Sequence, residues 1–178
     1  MAPPRTNWAS ANVTNAPVIP GDNLRLRPHV MGDLEAFWAF FQNPRAQFVQ
    51  GPKTRTHLWY GFASEVGSWA LVGMGGWAIE VGGQIAGQVA ITQPPHFAEP
   101  ELGYILFDGF EGRGIAFEAA SLALTYTRDR IRPASLVSYI HRDNARSIAL
   151  ARRLGATHDP AGKTHDADDV VYRYAVAA

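Results

Sequence analysis

The segment Glu101–Leu124, ELGYILFDGFEGRGIAFEAASLAL, decides how the rest of the chain is interpreted. It begins with a mostly apolar, β-prone run that predicts a strand, and the apolar and alanine positions after Gly114 recur at helical spacing. The turn between them is Gly112-Arg113-Gly114. A glycine turn that enters the first turn of a helix leaves backbone N–H groups unpaired, and the helix dipole adds positive potential. The segment is therefore either an anion site, with phosphate the usual ligand, or an ordinary strand-to-helix turn.

Two well-known phosphate-binding motifs do not fit this segment. A dinucleotide-binding fingerprint needs a third glycine where this chain has Phe117. Gly109 and Gly114 have the spacing of a Walker loop, but Ile115-Ala116 follows instead of Lys-Ser or Lys-Thr. Neither a dinucleotide site nor a nucleoside triphosphate site is predicted.

The pattern on either side predicts the order strand, two helices, a meander of three strands, helix, strand, helix, strand. Alternating residues in 24–27 predict the first strand, and three- and four-residue apolar spacing before Asn43-Pro44 predicts the first helix. A second helix is expected over roughly residues 54–69. Gly82-Gly83 between two β-prone runs predicts a tight hairpin, and Gly155 marks the end of the last helix.

Length and composition favour one domain. The chain has 178 residues, of which 47% are hydrophobic, enough for one core. Residues 1–22, rich in Pro, Asn and Ala, are expected to form an extended arm, and residues 23–178 a single domain. We expect a monomer or a homodimer.

The composition also excludes several classes of function. Sixteen basic and sixteen acidic residues cancel, so bulk charge favours neither nucleic-acid nor membrane binding. There is no cysteine, which excludes a thiol nucleophile and thiolate metal ligands. The first residues lack a signal-peptide core, so a cytoplasmic protein is expected. The sequence HDADD, residues 165–169, is interpreted as a solvated turn, and no metal is expected.

The loop Glu111-Gly112-Arg113-Gly114-Ile115-Ala116 resembles the cofactor loop of the GNAT N-acetyltransferase superfamily, which reads Gln or Arg, two residues, Gly, one residue, then Gly or Ala. Residues 141–156, HRDNARSIALARRLGA, look like the family's Asn-x-x-Ser helix ending in Leu-Gly. The resemblance covers about residues 22–176 in element order and is strongest to the RimJ/RimL-like ribosomal-protein acetyltransferases.

The resemblance implies an α+β, three-layer fold: a mixed, mostly antiparallel sheet flanked by helices, with a splayed parallel strand pair forming the cofactor cleft. It also implies acetyl-CoA as cosubstrate. The residues implied in cofactor binding are Ile105, Leu106, Phe107, Glu111, Gly112, Arg113, Gly114, Ile115, Ala116 and Asn144. Glu111 departs from the family pattern, because it brings a carboxylate to the expected pyrophosphate site. This either weakens binding or is compensated by Arg113.

Acetyl transfer to an amine needs a neutral amine, a polarised carbonyl and a proton for the departing thiolate. Glu101 is the expected general base, provided that burial raises its pKa, and Glu99 is the competitor. The helix after Asn144 lacks the tyrosine that many family members use as general acid, which leaves Ser147 as the expected acid and Tyr139 as a less favoured alternative.

The acceptor side is predicted from aromatic residues. Two interpretations are open for the aromatic residues of the two early helices, which include Trp38, Trp59 and Tyr60. They either belong to the hydrophobic core or form a water-excluding pocket for the substrate. No acidic cluster that would attract a polycation is apparent there.

The expected function is an N-acetyltransferase that uses acetyl-CoA, with the amine attacking directly in a ternary complex. The expected acceptor is a protein N-terminal α-amine or a small-molecule amine. The alternative, motivated by Glu111 and the missing tyrosine, is a catalytically silent acyl-CoA-binding or regulatory domain of the same fold.

Overall fold

The computed structural model describes residues 15–49, 51–52 and 54–176, so residues 1–14 of the predicted arm lie outside the described residues. Its central feature is an eight-stranded sheet in the order β1-β2-β3-β4-β5-β6-β8-β7. The strands are β1 Ile19–Pro20, β2 Arg25–Arg27, β3 Gly76–Val81, β4 Gln84–Thr92, β5 Glu101–Leu106, β6 Val137–His141, β7 Thr157–Asp159 and β8 Asp169–Arg173. The α-helices are α1 Leu34–Phe41, α2 Arg55–Val72, α3 Ile115–Tyr126 and α4 Ala145–Arg153.

The predicted mixed sheet with one parallel strand pair is confirmed. β5 pairs with β4 antiparallel over six residue pairs, from Thr92↔Glu101 to Gly87↔Leu106. It pairs with β6 in parallel at one position, Glu101↔Val137. Beyond that position β5 and β6 diverge, and Ser138 Oγ donates to the Leu102 carbonyl at 2.6 Å. The splayed strands leave a wedge-shaped cleft that opens from Glu101.

Local sequence signals account for most element boundaries. The hairpin between β3 and β4 turns at Gly82 and Gly83, both with positive φ (57° and 81°), as a two-residue glycine turn requires. α2 continues three residues past the predicted end and stops at Gly73, which has the left-handed conformation that commonly terminates helices. α3 ends before the predicted boundary near Arg130, because the chain passes into a π-helical turn over Thr127–Ile131.

Two buried tryptophans fix α2 against the sheet. Trp69 on α2 and Trp77 on β3 are fully buried with ring centroids 4.4 Å apart. Trp69 Nε1 donates to the Gly76 carbonyl at 3.0 Å, and Trp77 Nε1 donates to the Pro17 carbonyl at 3.0 Å. Residues four apart lie on one helical face, so the position of Trp69 also fixes that of Glu65.

Gly87 allows β4 and β5 to approach closely near the C-terminal end of β5. Its φ is +154°, and a Cβ there would lie 2.1 Å from the Ile105 carbonyl oxygen. We expect Gly87→Ala to lower the free energy of unfolding by about 2–3 kcal/mol, because the overlap is with backbone that must shift. Urea denaturation measures this.

The matched control is Gly61→Ala on the exposed face of α2, where nothing lies within 4 Å of the added methyl group. This change should stabilise the protein by roughly 0.5–1 kcal/mol, since alanine is the better helix former. Equal free energies of unfolding for the wild-type and Gly87→Ala proteins would contradict the close-approach argument.

Candidate active site

The cleft between β5 and β6 is a cavity of about 1330 Å³. β5 and β6 form its floor, α2 lies along one side, and the loops of residues 93–98 and 163–168 lie along the other. Of the residues expected from sequence to do chemistry, Glu101, Tyr139 and Ser147 all line it. The structure therefore brings Glu101 on β5 together with residues of β6 and α4, which follow more than 30 residues later in the sequence.

The N-terminus of α3 is open to solvent. Gly114 is the N-cap residue, with φ of 77°, and no side chain caps the helix there. Gly112 also has positive φ, 70°, and nothing lies within 4 Å of the place a Cβ would occupy on either glycine. The first N–H groups of the helix are therefore free to bind an anion.

Two carboxylates near this helix end are held away from it. Glu111 forms an ion pair with Arg45, which also pairs with Asp108, and Glu111 Oε2 accepts from the Gly109 N–H at 3.0 Å. Glu118, in the first turn of α3, accepts from the backbone N–H and the side-chain amide of Asn23, both at 2.9 Å. Glu111, the departure from the family pattern, is thus engaged by a cation.

Glu101 has the surroundings that general-base catalysis requires. Burial raises its pKa to about 8, opposed by a hydrogen bond from the Tyr139 backbone N–H and reinforced by the charges of Glu65 and Asp169. The carboxylate lies 3.8–3.9 Å from the place a Cβ on Gly103 would occupy. A side chain at Gly103 would therefore pack against the carboxylate.

Glu99, the competing candidate, has a structural role. It accepts from both terminal nitrogens of Arg173, at 2.6 and 2.9 Å. This pairing with the Arg173 guanidinium lowers the pKa of Glu99. A carboxylate held in an ion pair is a poor proton acceptor, and Glu99 precedes β5 instead of lying within it.

Asn144 and Ser147 lie at the start of α4, beside the cleft. The Asn144 side chain accepts from the Ser147 N–H at 3.2 Å, which is the N-cap contact. The Tyr104 hydroxyl donates to the Ser147 carbonyl at 3.0 Å and joins β5 to α4. Burial raises the pKa of Tyr139, opposed by a hydrogen bond from the Glu99 backbone N–H.

The aromatic residues expected to bind the acceptor do not line the cleft. Trp59 and Tyr60 are 44% and 63% exposed on the outer face of α2, and Trp38 packs against the small cluster around Phe37, with Arg55 over its ring at 5.1 Å. The residues of α2 that do line the cleft are Ser64, Glu65, Ser68, Leu71 and Val72.

The wall that contains residues 165–169 is largely the turn predicted from the sequence: residues 165–168 form a bend and a turn in which His165, Ala167 and Asp168 are exposed, and β8 begins at Asp169. His165 stacks on Phe97 with centroids 4.3 Å apart and planes 17° from parallel, and Tyr139 meets both rings edge-on. Asp166, Asp168 and Asp169 follow His165 along the cleft. The two loops therefore pack together through aromatic rings, and the carboxylates of residues 166–169 line the same part of the cleft.

Comparison with known proteins identifies the family. The acetyltransferase (GNAT) domain profile matches residues 23–157, well over half of the chain. The chain belongs to the GNAT acetyltransferase family. It is similar to the crystal structure of an acetyltransferase from Agrobacterium tumefaciens strain C58, with 37% identity and a TM-score of 0.85 over 89% of this chain and 94% of that one.

More distant GNAT structures share the fold. RimL, the ribosomal L7/L12 α-N-protein acetyltransferase, has been solved in complex with coenzyme A and matches at 22% identity with a TM-score of 0.68, over 88% of this chain and 96% of that chain. A GNAT acetyltransferase from Bacillus anthracis matches at 14% identity with the same TM-score, covering 88% and 95% of the two chains. No helix in the described residues has the length and apolar character that crossing a membrane needs.

Sequence reasoning about this GNAT protein missed Glu65. Its side chain lines the cleft, and burial raises its pKa to about 7. In the sequence Glu65 lies between Phe62 and Trp69, and all three residues lie on the buried face of α2. A carboxylate is unexpected on a buried face without a partner, so this position could have indicated that Glu65 has a special role.

Proposed function

We propose that this GNAT enzyme transfers an acetyl group from acetyl-CoA to a primary amine, which attacks the thioester directly in a ternary complex. One observation carries the proposal: an uncapped, unobstructed helix N-terminus at Gly114 and a buried carboxyl at Glu101 flank the same splayed strand. The free N–H groups at the helix N-terminus can bind a diphosphate, and the buried carboxyl group can accept the proton that an amine must lose.

The cofactor would lie along the open edge of β5. Past Glu101 this edge has no strand partner on its β6 side, so the backbone groups of β5 that face away from β4 are available to the pantetheine arm, whereas the Phe107 N–H donates to the Ala86 carbonyl. The diphosphate would be bound by the N–H groups that begin at Gly114, with Arg113 exposed beside them and its guanidinium 5.7 Å from the Phe110 ring. Asn144 borders the same cleft from α4.

The chemical step needs one proton acceptor and one proton donor. The amine nitrogen forms a bond to the thioester carbon, the carbon–sulfur bond breaks, and the proton lost by nitrogen goes to Glu101. The coenzyme A thiolate takes a proton from the Ser147 hydroxyl, which then recovers one from solvent. Ser147 lines the cleft, and its side chain interacts with the Tyr104 hydroxyl.

The decisive experiment is release of free thiol from acetyl-CoA across a panel of primary amines and N-terminal peptides. Turnover that depends on the amine supports the proposal. Coenzyme A binding with no turnover on any acceptor would favour a silent acyl-CoA-binding domain instead. Failure to bind coenzyme A would rule out both functions.

The ion pairs of Arg45 provide a test of the cofactor loop. We expect Arg45→Met to weaken coenzyme A binding about fivefold, because Glu111 and Asp108 lose their cation next to the diphosphate site, a helix-terminus effect of about 1 kcal/mol. Isothermal titration measures the affinity. Adding Glu111→Gln to Arg45→Met should restore most of it.

The control is Arg55→Met, which breaks an ion pair between Arg55 and Glu35 on the outer helices. It should leave coenzyme A affinity unchanged. Equal affinity in the wild-type and Arg45→Met proteins would contradict the role given to Arg45.

A further inference from the structure

The cleft contains buried polar atoms without partners. Within the described residues, the side-chain oxygen atoms Glu65 Oε2, Gln88 Oε1 and Gln93 Oε1 are buried and have no hydrogen-bond partner, and all three residues line the cleft. A buried polar atom without a partner is costly, so such atoms in a concave site indicate a ligand that supplies hydrogen-bond donors.

Two of these oxygens lie over the same glycine. A Cβ on Gly76 would lie 3.0 Å from Glu65 Oε2 and 3.1 Å from Gln88 Oε1. The missing side chain at Gly76 thus leaves room for a carboxylate from α2 and an amide oxygen from β4. Trp69, one turn after Glu65, holds this face of α2 in place through its bond to the Gly76 carbonyl.

The charge of the cleft favours a cation. Lys163 is the one lysine or arginine among the lining residues that the structure describes. The acidic lining residues are Glu65, Glu101, Asp166, Asp168 and Asp169, and the histidines are His96, His141 and His165. Because the whole chain has no net charge, this local excess of carboxyl groups distinguishes the cleft from the rest of the molecule.

Some of these carboxylates already have cationic neighbours. Arg142 lies 3.4 Å from Asp168, and His165 lies 3.9 Å from Asp169. For Glu65, by contrast, burial is the cause of the raised pKa, which reaches about 7. A cation beside Glu65 would stabilise its ionised form and remove the cost of the unpaired oxygen.

We propose that Glu65, together with Gln88, binds the acceptor as a cation, so that the substrates of this enzyme are alkylamines that enter the cleft as ammonium ions. This inference rests on the proposed function. Glu65 holds the ammonium group, and Glu101 accepts one of its protons: an N–H bond breaks and an O–H bond forms on Glu101. Glu101 passes this proton to solvent, the neutral amine attacks the thioester, and Glu101 then accepts the second proton as the amide forms. Glu65 is a specificity-determining residue, and Glu101 remains the base.

The binding test uses two ligands of the same shape, neither of which is an alkylamine. Butylguanidinium is a cation with several N–H donors, and butylurea is its neutral counterpart. In calorimetry with the full chain and no acetyl-CoA, we expect the wild-type protein to bind butylguanidinium at least about tenfold more tightly than butylurea. In Glu65→Gln the preference should fall to less than about threefold, because the amide is isosteric but uncharged.

Asp129→Asn, in the exposed π-helical turn, is the control and should keep the wild-type preference. A wild-type protein without preference for the cation would overturn the proposal, as would a Glu65→Gln protein that kept the full preference. Coenzyme A affinity, measured on every variant, confirms that the cleft is folded.

Steady-state kinetics give a second readout. Glu65→Gln should raise KM for the amine at least about tenfold, with kcat and KM for acetyl-CoA nearly unchanged, and Glu65→Asp should recover part of the loss. If the Glu65→Gln protein binds coenzyme A and turns over with an unchanged KM for the amine, the role of Glu65 is overturned but the proposed function is not. No coenzyme A binding or turnover by the wild-type protein would instead overturn the proposed function.

Discussion

Glu101→Gln is expected to lower kcat/KM for acetyl transfer by about 10²- to 10⁴-fold, the usual contribution of a positioned general base. Glutamine keeps the size of the side chain but cannot accept the proton, so coenzyme A affinity should stay close to the wild-type value. Thiol release from acetyl-CoA with a saturating amine, together with calorimetry for coenzyme A, separates the two quantities.

The pH dependence of kcat/KM tests whether Glu101 is the general base. The pKa of Glu101 is raised to about 8, and the carboxylate is the active form, so wild-type kcat/KM should rise with pH and level off above about pH 8. In Glu101→Gln the rise with a pKa of about 8 should be missing, and only the rise from ionisation of Glu65, whose pKa is about 7, should remain. Glu99→Gln is the matched control: it breaks the ion pair with Arg173 and should keep the rise in kcat/KM. A wild-type pH profile in Glu101→Gln would assign catalysis to another group.

The same raised pKa affects stability in a defined direction. Glu101 in the unfolded chain ionises near its ordinary value of 4.5, but in the folded protein only near 8. Between these values the folded state binds more protons, so the free energy of unfolding should fall as pH rises. Glu101→Gln should flatten this part of the stability curve, which thermal unfolding at several pH values measures.

Gly114→Val is expected to weaken coenzyme A binding by at least about a hundredfold, since its side chain would occupy the space in front of the first N–H groups of α3. The backbone at Gly114 has φ of 77°, a conformation that costs an L-residue about 1–2 kcal/mol. The variant should therefore also lose stability, so affinity and stability must be measured together.

Gly83→Val separates these two effects. Gly83 has φ of 81°, also has nothing within 4 Å of an added Cβ, and lies in the β3–β4 hairpin. The Gly83→Val protein should lose a similar amount of stability and keep its affinity for coenzyme A. If both variants bound coenzyme A equally well, the diphosphate would not lie at Gly114.

The strand, glycine turn and helix of Glu101–Leu124 were largely predictable because their signals are local. A β-prone run, a glycine turn and a helical pattern follow one another within Glu101–Leu124, and the structure has β5, an open turn and α3 in that order. β7 could not be found this way: Thr157–Asp159 has no strand pattern and is a strand through its pairing with β8. What the sequence could not indicate about Glu111 was its partner, Arg45, which comes from a separate segment.

Which residues of α2 line the cleft depends on how the helix is rotated, and aromatic content alone does not reveal this rotation. The buried face of α2 runs through Leu58, Phe62 and Trp69, and Glu65 lies along it. Trp59 and Tyr60 follow Leu58 by one and two residues, about 100° and 200° around the helix, and so point elsewhere. The space for Glu65 comes from Gly76 on a different element.

The single pairing position between β5 and β6 also has a mechanical consequence. Strands β1 to β5 form one continuous ladder and β6 to β8 another, and the two ladders meet at Glu101↔Val137. A sheet resists bending through its ladder of hydrogen bonds, so resistance is least at this junction. The two ladders should therefore move as two rigid parts that can change their relative orientation about Glu101, the proposed base. A molecule bound between the two parts would fix that orientation.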